Sequence, residues 1–160
     1  LGSADGCKDK NILMSEAQVV TPITIRSASA ADIPAIEAVI RPYVDQRLLL
    51  ARTFDELEDL LPHCFVAVDA TGAVVGCAAL EIYSPKLAEV RSLAVAASAQ
   101  GFGVGRMLVE ACLARAHEQR VFEVMAITTR DSFFQTCGFD YTLPGEKRAL
   151  FYQTRDYYSE

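Results

Sequence analysis

Seven residues, Gln100-Gly101-Phe102-Gly103-Val104-Gly105-Arg106, constrain this chain more than any other stretch. They follow the apolar run Leu93-Ala94-Val95 and open a segment of helical period that starts near Val104. Three glycines in five residues, ahead of a helix, free a row of backbone N–H groups to converge on one point. The positive end of the helix dipole adds to the same field, so the loop suits a pyrophosphate. A P-loop would need Lys-Ser/Thr after the glycines, and none is present. A dinucleotide fingerprint needs G-x-G-x-x-G in a parallel βαβ unit, whereas this loop is spaced G-x-G-x-G. A plain turn is the alternative that spacing alone leaves open.

The chain has 160 residues, of which 51% are hydrophobic and 22% charged. That suits one globular unit with a real core. No apolar run reaches the roughly 18 residues that a membrane span needs, and no secretory signal is visible. The formal net charge of −6 argues against a nucleic-acid partner, whose phosphates need a basic face. The five cysteines are odd in number, show no C-x-x-C, and are accompanied by only two histidines. No metal site is expected, and reduced thiols fit a cytoplasmic protein.

Residues 1–20 read as a leader or flexible tail, with Met14 as a natural start, and 21–160 as one domain. The body alternates. Residues 23–26 read as a strand, and 31–43 carry apolar residues at helical spacing with Asp32 in the first turn. Thr53-Phe54-Asp55-Glu56 is a capping-box pattern that opens a short helix to about Leu61. Residues 64–68 and 74–83 are β-rich and joined by Asp69-Ala70-Thr71-Gly72, a hairpin signal; 89–95 is a third such run. After the glycine loop a helix should run to about Gln119, with Val104, Met107, Leu108, Ala111 and Cys112 as its apolar stripe. A strand over 122–128, a short helix over 132–137 stopped by Gly138, and closing strands at 139–141 and 149–154 complete the order. This is an α+β domain on one mixed, largely antiparallel sheet flanked by helices.

The apolar triplet 93–95, then Gln100-x-x-Gly103-x-Gly105, then a long helix, resembles the acetyl-CoA motif of the GCN5-related N-acetyltransferase (GNAT) superfamily. Gly138-Phe139, about 33 residues on, and the order of elements resemble it too, over roughly 23–155. The resemblance implies a GNAT fold and acetyl-CoA as cosubstrate. The amides of Gly101, Gly103, Gly105 and Arg106 would hold the pyrophosphate, with Gln100, Phe102 and Val104 completing the loop. Leu93, Ala94 and Val95 would face the pantetheine arm, Leu93 and Val95 pairing main chain with it as an added strand. An N–H near Val95 would polarise the thioester carbonyl. Phe133 and Phe134 would line the thiol end, or equally pack in the core.

A narrower resemblance is to the acetyltransferase domain of bacterial N-acetylglutamate synthases, in their short stand-alone form. It is carried by Ile40-Arg41-Pro42-Tyr43 with Leu48-Leu49-Leu50, by residues 76–80 and 86–95, and by Ile127-Thr128-Thr129-Arg130. It implies acetyl transfer to the α-amine of L-glutamate, the first step of arginine synthesis. A glutamate ammonium must lose a proton before attack. By analogy Glu89 would be the general base. Many relatives place a tyrosine acid four residues before the Gly-Phe pair, where this chain has Phe134; Thr128 or a water would substitute. The two carboxylates of the substrate call for a basic cluster drawn from Arg52, Lys86, Arg91, Lys147, Arg148 and Arg155. Arg130 lines the pocket or is solvated. Where such synthases follow the Leu-Leu segment with a double Arg, Ala51-Arg52 keeps one. A homodimer through terminal strands is compatible with the family. The other readings are a GNAT enzyme for a different small amine or a protein N-terminus, and a non-catalytic CoA-binding module.

Overall fold

Short β-rich segments joined by tight turns favour an antiparallel meander, and a glycine loop followed by a long helix favours a crossover to a parallel strand. The computed structural model, which describes residues 22–141, 149–152 and 154, has both. The strands β1 (Thr24–Ser27), β2 (Cys64–Val68), β3 (Val74–Ser84), β4 (Leu87–Val95) and β5 (Glu123–Met125) form one sheet in sequence order. The first three pairings are antiparallel and β4–β5 is parallel. Helices α1 (Ile33–Asp45) and α2 (Phe54–Leu60) precede β2. Helix α3 (Val104–Glu118) links β4 to β5, and α4 (Asp131–Thr136) follows.

Local chemistry explains the boundaries. The Thr53 hydroxyl accepts from the Glu56 N–H at 3.2 Å, while the Glu56 carboxylate accepts from the Thr53 N–H at 2.8 Å, closing the capping box of α2. Ahead of α1, Asp32 takes both arms of the Arg26 guanidinium at 2.8 Å, with the Ser29 N–H and hydroxyl at 2.8 and 2.9 Å. Those bonds, led by Arg26, hold the Asp32 carboxyl well below the usual carboxylate range.

Alternation along the strands sends side chains to two cores. Phe65, Ala67, Ala78, Leu80, Ala88 and Val90 pack with Val104, Leu108, Val109 and Cys112 of α3. Val66, Cys77, Ala79 and Ala94 pack with Ile33, Ile36, Ile40 of α1 and Leu57, Leu60 of α2.

Three expectations change. The strand expected over 122–128 pairs with β4 only through Leu87↔Glu123, Ala88↔Val124 and Glu89↔Met125, and then the two strands part. Residues 139–141 form no strand, because the backbone there finishes α4: the Gly138 N–H donates to Gln135 O at 3.0 Å and the Phe139 N–H to Phe134 O at 3.1 Å. Within the expected strand at 149–154, the described residues 149–152 and 154 are not in a strand, and 153 lies outside the description. No helix among the described residues is long and apolar enough to cross a membrane.

Candidate active site

Where β4 and β5 part, a cavity of about 730 Å³ opens. Its walls come from Tyr43, the 48–50 segment, Arg52, residues 89–95, the glycine loop, the start of α3, residues 127–130 and Phe133-Phe134. One end is built mainly of backbone and the other mainly of side chains.

The backbone end is the glycine loop. Gly101 and Gly103 stand at φ +83° and +77°, a region costly for a branched residue, and a Cβ at either would meet no atom within 4 Å. Among the described residues, the N–H groups of 101–106 donate to no protein acceptor. An open cradle with a row of unsatisfied donors at the N-terminus of a fifteen-residue helix fits a pyrophosphate. The Phe133 ring packs 3.3 Å from the Cβ position of Gly105, so the aromatic wall abuts the first turn of α3. Phe134 is buried, edge-on to both Phe133 and Phe139, and so serves core and cavity together.

β4 carries a bulge that the sequence pattern hid. Cys77 pairs with Ala94 and Ala79 with Arg91, so two steps on β3 face three on β4, and Ser92 takes φ +53°. The extra residue flips the strand. Glu89 and Arg91 share the α1 face, yet Ala94 takes that face after the bulge, leaving Leu93 and Val95 against the α3 core. The Ala96 N–H donates to Val75 O of β3 at 2.8 Å, so by alternation the Val95 peptide groups face the opening. The Val95 carbonyl is already bound by the Tyr43 hydroxyl at 2.5 Å and by the Gln100 amide at 3.2 Å. A ligand lying along this edge therefore meets the N–H side of Val95. The Gln100 amide also donates to the Tyr43 hydroxyl at 2.9 Å, so the Gln of the motif ties loop, strand and α1 together. Tyr43 further holds the cavity wall: its carbonyl accepts from the N–H groups of Leu48 and Leu49 at 2.8 and 3.2 Å.

At the side-chain end Glu89 is buried at 8% exposure. Its carboxylate accepts from the Tyr83 hydroxyl at 2.5 Å. Burial first, and then the Glu89 carboxylate, push the Tyr83 phenol up to about 12, so it keeps its proton throughout the working pH range. Arg91 pairs with Glu81 on the neighbouring strand and reaches the Tyr83 hydroxyl at 3.4 Å. Arg52 also lines the cavity; only 13% of its side chain is exposed, it lies 3.8 Å from Glu56, and its Nε is buried with no hydrogen-bond partner. The Thr128 hydroxyl oxygen accepts from the Arg130 N–H at 2.9 Å, leaving its own proton to donate elsewhere. The Arg106 guanidinium donates to the Thr136 carbonyl, bridging α3 to α4.

The structure thus brings Glu89, Thr128, Arg52, Arg91, Leu93, Ala94, Val95, most of the loop, Arg106, Phe133 and Phe134 to one cavity. Lys86 stays outside it, exposed in the β3–β4 turn, and exposed Phe102 is also absent from the lining. Lys147, Arg148 and Arg155 lie outside the described residues. Tyr43 and Tyr83 were not identified from sequence as site residues. Tyr43 lies in a helical stripe that reads as core, and nothing local marks Tyr83 as a partner of Glu89.

Comparison with known proteins gives this geometry its family. The model of the Acetyltransferase (GNAT) family matches residues 31–139. A Chlorobaculum tepidum protein named an uncharacterized N-acetyltransferase is 37% identical over 115 residues, 72% of this chain and 74% of that one. The amino-acid acetyltransferase of Pasteurella multocida is 34% identical over 139 residues, 82% of this chain, and the chain spans only 31% of that protein's length. The structure of N-acetylglutamate synthase from Neisseria gonorrhoeae, complexed with coenzyme A and N-acetyl-glutamate, has a TM-score of 0.66 and 30% identity, covering 71% of this chain and 27% of that one. The chain belongs to the Acetyltransferase (GNAT) family and is an N-acetyltransferase that uses acetyl-CoA as cosubstrate.

Proposed function

We propose that the chain transfers acetyl from acetyl-CoA to the α-amine of L-glutamate, by direct attack in a ternary complex. The observation that carries this reading is the pairing, in one cavity, of a buried carboxylate, Glu89, with the guanidinium of Arg52, whose side chain is 13% exposed. A base near the reacting amine and a cation for a carboxylate are what an acidic amino-acid acceptor requires. The relatives named amino-acid acetyltransferase and N-acetylglutamate synthase support the same acceptor. An arginine-synthesis role and a cytoplasmic setting accompany the reading; Cys64, Cys77, Cys112 and Cys137 as free thiols agree with the latter.

In this reading the 101–106 amides hold the pyrophosphate and the Val95 N–H steadies the thioester oxygen. Arg52 orients a substrate carboxylate, with Arg130 also lining the cavity. Glu89 takes a proton from the ammonium; the amine nitrogen then bonds to the acetyl carbon as the C–S bond breaks. The Thr128 hydroxyl, its oxygen polarised by the Arg130 N–H, donates its proton to the leaving sulfur and takes the second proton of the amine nitrogen in exchange.

Mass spectrometry of protein, acetyl-CoA and L-glutamate tests the proposal. N-acetylglutamate is the expected product. Acetylation of a different amine with glutamate left untouched would overturn the acceptor, and CoA binding without turnover on any amine would point to a binding module.

A further inference from the structure

Arg91 and Glu81 do not stand alone at the acceptor end: with Tyr83 they form a connected cluster that ends on Glu89. Glu81 and Glu89 are cross-strand partners, and Tyr83 and Arg91 follow each on the same face of the sheet. The Tyr83 hydroxyl donates to Glu89 Oε2 at 2.5 Å, and Glu81 Oε2 is the second acceptor near it, at 3.4 Å. Arg91 bonds to that same Glu81 oxygen and to the Tyr83 oxygen, fixing the phenol from behind. Tyr83 is 47% exposed and is not part of the cavity lining, so it reaches Glu89 from outside the cavity.

We propose that Tyr83 is the positioning residue of the general base: its hydroxyl holds one oxygen of Glu89 and orients the other toward the cavity, with Glu81 and Arg91 as the brace. This rests on Glu89 being the base. It gives Arg91 a task within the protein in place of a direct substrate contact. Among the described residues, the groups facing Glu89 are Tyr83 and Glu81 from β3 and Arg91 from β4; Met125 of β5 carries no charge, and Arg52, Arg106 and Arg130 line the same cavity.

The test is a double-mutant cycle in steady-state kinetics, Tyr83→Phe, Glu89→Gln and both together, using whichever amine the product assay identifies. Tyr83→Phe should lose roughly tenfold in kcat, a typical effect of a hydrogen bond to a charged group, while its KM for acetyl-CoA holds. Added to Glu89→Gln, it should cost nothing further, because the group it positions is gone. A slow Glu89→Gln beside a Tyr83→Phe with wild-type kcat would overturn the positioning role and leave the base intact. A tenfold loss repeated in the Glu89→Gln background would also overturn it, as a merely structural effect. A fully active Glu89→Gln would remove the base reading itself.

Discussion

The two ends of the cavity are built on different principles. The end toward the glycine loop is made of main chain: positive-φ glycines, the unsatisfied N–H row of 101–106, and the free edge of β4 after it leaves β5. The end toward Arg52 and Glu89 is made of side chains from α1, the 48–52 segment, β4 and the 127–130 loop. Main chain recognises what every member of a family must bind, because no substitution other than proline removes an N–H donor. Side chains gathered from four places can be exchanged one at a time, so that end can change its acceptor while the fold stays constant.

The division is broken most severely at Glu89. Glu89→Gln should lower kcat by about 10² to 10⁴, the usual reach of a general base, with acetyl-CoA affinity unchanged by calorimetry. Equal losses in kcat and affinity would show that the two ends are not separate. At the other end, Gly103→Val forces a β-branched residue to φ +77° and sets a side chain into the cradle. It should weaken acetyl-CoA binding by roughly 10- to 100-fold, from strain and crowding combined. Unchanged affinity would remove the pyrophosphate from this loop. Arg52→Ala should raise KM for the amino acid by about tenfold or more while sparing KM for acetyl-CoA, since it removes a charge-assisted bond from one substrate only. Tyr43→Phe is the sharper probe, because its hydroxyl joins α1, Val95 and Gln100. It should cost only a few-fold, the value of a neutral hydrogen bond, but on both substrates.

Asp32→Asn belongs to neither end and should leave both KM values alone. It should lower stability by about 1–3 kcal/mol at pH 7, because it breaks the Arg26 and Ser29 clamp. The folded carboxyl is held below its unfolded value near 3.9, so the clamp contributes above that pH and fades below it. Urea midpoints of wild type and variant should differ fully at pH 7 and converge as pH falls through 4 toward 2.

How legible each end was follows from how each is built. The glycine loop, the capping box of α2, the β2 strand and the α3 boundaries rest on neighbours within a few residues, and the structure keeps them. The bulge at Ser92 is invisible in a pattern of period two, because it changes the phase of β4 only when β3 is laid beside it. Tyr83 meets Glu89 because two antiparallel strands place positions six apart side by side, and Tyr43 meets Val95 across 52 residues. Lys86 sits within a segment that resembles the synthases, yet the β3–β4 turn carries it away from the cavity. Resemblance marked segments that border the cavity, and strand register decided which of their side chains line it.

The central claim is that the side-chain end selects an acidic amino acid. Release of free CoA thiol, followed with each of the twenty amino acids in turn, tests it most directly. L-glutamate should give the highest kcat/KM, roughly tenfold or more above L-aspartate, which is one methylene shorter. L-glutamine, lacking the second charge for Arg52, should also fall well below it. Equal rates for glutamate and an uncharged amino acid, or thiol release with a different amine alone, would contradict the account.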